Sequence, residues 1–328
     1  MPPRYSHVVY DPTFGDADLA AARRDLVIGR WQGARDLLRA TGNDWDHRTH
    51  RMRLLAEVAA GNKSAESWLI AQPRTPDAQV LRAETEVMRL FAALAESARR
   101  GQEPRPGHDS LPREMLDRAI ELCIRAAHTV SADPVPWVSL VSLARLYAHG
   151  HRHTQRWWDE LRARDPYNRE GHHQILRYLS ARWHGSHGTM YEFAQESAVG
   201  APDGSPLIVL PQAARVEHYR DLAEAKGRLA VGLTYHWSNE GAQYDLSTAL
   251  RRWIQVRDVE YAQDVADLNL LAHGLVFADM TSGAREVFRH LGNRPTRLPW
   301  AYCGEPAALF ARWRDQFVVP DRGLPNHP

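Results

Sequence analysis

The chain has 328 residues, 44% of them apolar and 25% charged, an ordinary composition that leaves room for a large core or an extended repeat array. A formal charge of +1 gives no global pull toward nucleic acid or an anionic membrane. Cys123 and Cys303 stand 180 residues apart without a partner motif, which argues against a disulfide framework or a cysteine-rich zinc site.

The opening segment, MPPRYSHVVYDPTFGD (1–16), lacks the apolar run of a signal peptide and reads as an extended N-terminal segment. No later stretch approaches the roughly 18 uninterrupted apolar residues of a membrane span, so a cytoplasmic protein without a membrane partner is expected. Helical spacing then dominates. Ala34, Leu37, Leu38 and Thr41 form one short stripe, and Leu116, Ala119, Ile120, Cys123 and Ala127 a longer one. Ile175, Leu176, Leu179 and Trp183 continue the pattern, followed by Leu268, Leu271, Ala272 and Leu275. The best strand candidate, LIVL at 207–210, is too short and is stopped by Pro211, so it reads as the start of a helix. Breakers such as QPRTPD, RDPYN and GAPDGSP separate the stripes, and GQEPRPGHDSLP (101–112) reads as an exposed loop inside a hairpin. Residues 315–328 read as an extended C-terminal tail. The whole chain, 1–328, is expected to form one continuous helical-repeat domain.

Asp133-Pro134 and Asp165-Pro166 lie 32 residues apart, and Ala201-Pro202 follows after a further 36. GARDLL at 33–38 is echoed by GAREVF at 283–288. In the second copy, Leu268, Leu271, Ala272 and Leu275, then Ala284, Phe288 and Leu291, resemble the two helices of a tetratricopeptide repeat, whose period is about 34 residues. After Pro134 the match is partial: Trp158, Leu161 and Pro166 fit, but Arg145 stands where a large aromatic belongs. The resemblance implies an all-α fold, a right-handed α-solenoid of stacked antiparallel helix hairpins. SARWHGSHGTMYEFA also resembles a W-x-G-S motif of a poorly characterised bacterial family of helical proteins, a likeness that implies a fold and no chemistry.

Candidate chemistry is sparse. Seventeen histidines include the pairs His151/His153, His172/His173 and His184/His187, but no H-E-x-x-H is present, and no metal site or cofactor is expected. No G-x-S-x-G, Walker A or G-x-G-x-x-G occurs, and no catalytic residue is assigned. Basic-aromatic runs such as RRWIQVR lack the net charge of a nucleic-acid binder. His173, Arg177 and His184 are spaced by four and then seven residues, as one helix face would be. With His187 and the adjacent Trp157 and Trp158 they are the candidates for contacting a protein or peptide partner in a concave groove. The alternative is an enzyme or small-molecule binder with a His/Trp/Arg-lined pocket between repeats. In the W-H-G-S corner, Trp183 is expected to plug a joint between hairpins. Gly185 is expected to be a left-handed helix cap and Ser186 the next N-cap, leaving His184 free for function.

Overall fold

The structure, a computed structural model, describes residues 8, 10–101, 108–226, 233–257 and 261–318. Of the segments read as extended or looped, residues 1–7, 9, 102–107 and 319–328 lie outside the described residues. Among the described residues there are sixteen α-helices and no strand, so the chain is all-α. No described helix is long and apolar enough to cross a membrane.

The chain divides into two compact units, Gly15–Phe193 and Met1–Phe14 with Ala194–Pro328. The first holds α1 (Ala17–Val27), α2 (Gln32–Thr41), α3 (Trp45–Ala60), α4 (Ser64–Ala71) and α5 (Pro76–Arg99). It continues with α6 (Arg113–Thr129), α7 (Val135–Ala144), α8 (Thr154–Arg164) and α9 (Arg169–Tyr178). The division falls inside α10 (His187–Gly200). The second unit holds α11 (Leu210–Lys226), α12 (Leu233–Ser238), α13 (Glu240–Ala249), α14 (Val265–Phe277), α15 (Thr281–Leu291) and α16 (Pro306–Val318). The strand candidate at 207–210 is instead the end of a 3-10 turn, Pro206–Val209, and the first residue of α11. The final helix runs into the segment read as a tail.

Each unit is built around one helix that is buried on all or most of its faces. In the first it is α7, VPWVSLVSLA, all ten of whose residues are buried, and it packs on α3, α5, α6, α8 and α9. A helix without a polar face has no surface to give to water and belongs in the centre of a core. In the second unit α14 takes that place, against α11, α12, α13 and α15. Helix starts follow local chemistry. Asp16, Asn168 and Asn239 accept from the backbone N–H of Leu19, Gly171 and Ala242 at 2.8–3.0 Å, and Pro76 opens α5.

The echoed segments are structural twins, one in each unit. With an offset of 250 residues, Arg30 N–H bonds the Asp25 carbonyl as Met280 N–H bonds that of Leu275, both at 2.9 Å. Gly29 and Asp279 both have positive φ, 81° and 57°. The second helix of each twin ends on a glycine of almost identical conformation, Gly42 (58°, −126°) and Gly292 (55°, −123°). This region is closed to residues with a Cβ. Between turn and glycine, Ala34 and Ala284 are fully buried, and these small side chains let each pair of helices pack closely.

The ends of α7 show what so complete a burial demands. Asp133, just before the helix, is fully buried; it accepts from the Arg48 guanidinium at 2.8 Å and from the Val135 amide at 2.9 Å. Arg48 also reaches Asp77 at 2.6 Å, so α3, the start of α5 and the start of α7 are pinned by one guanidinium. Burial still raises the Asp133 carboxyl above its ordinary range against the pull of Arg48. Arg48→Met removes the cation and leaves the carboxylate stranded. We expect a loss of about 3–5 kcal/mol in urea unfolding, whereas Arg99→Met, at an exposed ion pair, should change stability by less than about 1 kcal/mol.

Candidate functional site

A continuous polar seam runs along α7, and it gathers more chemistry than any other part of the described structure. Ser139, midway along the helix, donates to Glu84 of α5. Arg53 of α3 bridges that carboxylate at 3.3 Å and Glu170 of α9 at 3.5 Å. Glu170 accepts from Gln174 Nε2 at 2.5 Å, and the Gln174 amide oxygen accepts from Arg145 at the end of α7. Four helices far apart in sequence thus meet through one string of hydrogen bonds, which a buried polar group requires.

The two carboxylates in the seam are driven in opposite directions. Glu84 is almost fully buried, and that burial pushes its carboxyl above the usual range although Arg53 and Ser139 pull the other way. Burial acts on Glu170 in the same sense, but Arg53, Arg169, Arg177 and His173 outweigh it and hold the carboxyl below its ordinary range. Arg177 contributes its charge alone: among the described residues its guanidinium makes no hydrogen bond or ion pair.

Arg145, the residue found in place of an expected aromatic, fills that slot by stacking. Its guanidinium carbon lies 4.8 Å from the Phe91 ring centre and 5.7 Å from that of Trp183. A flat, weakly hydrated cation between rings serves as an aromatic would, and its charge suits the carboxyl end of α7.

The W-H-G-S corner is built differently from its sequence reading. Helix α9 stops at Tyr178, so the spacing of His184 from His173 and Arg177 does not place it on their helix face. The chain instead folds back, with His184 N–H bonded to the Tyr178 carbonyl at 3.0 Å and Gly185 N–H to that of Ser180 at 3.2 Å. Trp183 is partly buried against the core of the first unit, beyond the helix rather than on its stripe. Gly185 is not left-handed: its φ is not positive. It is required because a Cβ there would strike the Leu179 backbone, coming within 2.8 Å of its Cα and closer still to its carbonyl. Ser186 does cap α10, accepting from Thr189 N–H at 3.2 Å while Thr189 Oγ1 accepts from Ser186 N–H at 2.9 Å, a reciprocal box. His184 is not left free: its Nε2 donates to the Arg145 carbonyl at 2.9 Å, and its ring lies 4.9 Å from Tyr178.

The other nominated residues divide by burial. Trp157 and Trp158 are both buried and pack against different rings. Trp157 stacks on His151 at 4.2 Å, and Trp158 stands edge-on to His172 at 4.9 Å and to Phe193 at 5.8 Å. Divergence by about 100° leads the two rings to two packed layers rather than to one layer and a groove. His173 is buried on α9, Arg177 is half-buried one turn later, and His187 is half-buried at the start of α10. The seam therefore contains His173 and Arg177 from the nominated set. Arg53, Glu84, Ser139, Arg145, Glu170 and Gln174 are additional, and the one signal for them was a polar residue at a core position, as in Ala83-Glu84-Thr85. No group of three or more His, Cys, Asp or Glu side chains among the described residues is arranged to hold a metal ion. Comparisons with protein-family models, with curated proteins and with solved structures find no match to this chain.

Two measurements check this geometry. Gly185→Ala should cost more than about 1 kcal/mol, and His184→Ala and Ser186→Ala about 1 kcal/mol each; a His184→Ala protein as stable as wild type in urea would contradict the bond to Arg145. His172 supplies a pH test. Burial depresses its imidazole to about 4 from an ordinary 6.5, only partly opposed by its bond to the Asn168 carbonyl at 2.8 Å. The folded state thus binds fewer protons than the unfolded chain between those values. Stability should be flat above pH 7 and fall as pH drops from 6.5 toward 4, with His172 accounting for about 3 kcal/mol over the full interval. Unfolding free energies measured from pH 8 to 5 should lose part of this slope in His172→Gln.

Proposed function

We propose that the chain is a non-catalytic, tetratricopeptide-like α-solenoid whose inner helices hold a protein or peptide segment through its carboxylate groups. The observation that carries this reading is Arg177. It is half-buried, lacks a hydrogen-bonded partner among the described residues, and acts electrostatically on Glu170 together with Arg53, Arg169 and His173. An arginine without a bonded partner beside a cation-rich seam suits an acidic side chain or a chain terminus arriving from outside, since its planar fork matches a carboxylate. The twin hairpins support the repeat part of the proposal, because two distant segments reproduce one turn, one packing face and one glycine stop. So does the alternation in the first unit, where α6 packs on both α5 and α7, and α8 on both α7 and α9.

The test is a panel of labelled peptides of acidic, neutral and basic composition, read by fluorescence anisotropy at two salt concentrations. Acidic peptides should bind more tightly, less so at higher salt. Arg177→Gln should weaken them at least about tenfold, the scale of a charge-assisted contact, and Arg177→Glu further still, each in protein that circular dichroism shows to be folded. Equal affinity of Arg177→Glu and wild type would refute the assignment. A stoichiometric small molecule retained in native mass spectrometry would replace it with the pocket-binding alternative.

A further inference from the structure

The second unit contains a histidine whose surroundings the proposed groove does not explain. His273, on the central helix α14, is fully buried and boxed by rings: Phe277 at 4.6 Å, Trp237 at 4.8 Å and Trp300 at 5.3 Å between centres. Its Nδ1 has no hydrogen-bond partner among the described residues, whereas core histidines ordinarily satisfy both nitrogens. Its Nε2 faces a sulfur, Cys303 Sγ, at 3.3 Å. Cys303 closes the short 3-10 turn Trp300–Tyr302, through its N–H to the Trp300 carbonyl, and is half-buried. Aromatic stacking alone needs neither an imidazole at the centre of the box nor a thiol against its ring nitrogen.

We propose that His273 and Cys303 form a two-coordinate site for a soft monovalent cation of the Cu(I) class. Imidazole nitrogen and thiolate sulfur are the donors such an ion prefers over hard oxygen ligands. The absence of a third or fourth His, Cys, Asp or Glu ligand among the described residues does not suit tetrahedral zinc, but a linear d10 cation needs two. Charge points the same way. A thiolate and a monovalent cation sum to zero, which aromatic walls tolerate, whereas a divalent ion on the same pair would leave a net positive charge in an apolar site. With bonds near those of zinc, about 2.0 Å to nitrogen and about 2.3 Å to sulfur, a linear arrangement separates the donors by roughly 4.3 Å. The pair must therefore open by about 1 Å, within reach of a rotation of the half-buried Cys303 side chain. In the binding step the Cys303 S–H bond breaks and its proton leaves to water. The sulfur and the Nε2 lone pair then each bond the cation, whose oxidation state does not change, and Nδ1 carries the imidazole proton.

The experiment uses the reduced full-length protein, titrated without oxygen against the coloured Cu(I)–bicinchoninate complex. Wild type should withdraw one equivalent of Cu(I), Cys123→Ser should do the same, and Cys303→Ser should lose the uptake. Because a substituted His273 could disturb the core, the nitrogen ligand is read on the wild-type protein. X-ray absorption at the copper edge should show one sulfur and one nitrogen neighbour. Failure to compete with bicinchoninate, uptake that survives in Cys303→Ser, or a copper bound by sulfur alone would each overturn the assignment, as would equal uptake of Zn(II).

Discussion

The burial of α7 on every side is the constraint from which the first unit takes its form. An apolar helix packed on five others cannot turn any face to water, so each polar group on or beside it must be matched inside the protein. Asp133 at its start draws in Arg48 and through it Asp77; Ser139 at its middle meets Glu84; Arg145 at its end meets Gln174, Phe91 and Trp183. These partners come from helices that apolar packing alone would position only loosely. The seam gives them a register. Buried ion pairs contribute little net stability but penalise every misaligned arrangement, which would strand a charge.

The W-H-G-S corner belongs to the same structure. His184 donates to the carbonyl of Arg145, the residue that closes α7, and Tyr178 Oη lies against the backbone of Gly150 in the turn that follows. The corner is a brace across the end of the central helix. Its unusual residues are explained by close backbone approach and capping, and the more chemical arrangement lies deeper, among residues that no local motif announces.

What was legible in the sequence follows from range. The stripes at Leu116–Ala127 and Leu268–Leu275, the 3-10 start at residues 206–209 and the Ser186 cap depend on neighbours within a few positions, and all were readable. The echo of GARDLL and GAREVF coincides with a matched turn and a matched glycine stop. The seam was not readable, because Arg48 and Asp133 are 85 positions apart, and Ser139 and Glu84 are 55 apart. Helix periodicity failed past Tyr178 because the chain stops being helical while its apolar spacing continues by coincidence. The many arginines of the chain have a partial structural use that no motif shows. Arg89 bonds the last carbonyls of α3, Arg252 those of α10 and Arg294 those of α15, where a long cationic fork serves better than a short polar side chain.

The matched glycines at the ends of the twin hairpins carry a consequence for phase. A helix that ends by fraying leaves the following chain several directions to take, and the rotational setting of its last turn is loose. Gly42 and Gly292 remove that freedom, since their backbone angles admit one continuation and forbid another turn of helix. Each therefore acts as an indexing notch. It sets the angle at which the chain departs, and Ala34 or Ala284 stays turned inward however the outer residues change. Two segments 250 residues apart can thus differ in most of their chemistry and still stop their second helix in the same way.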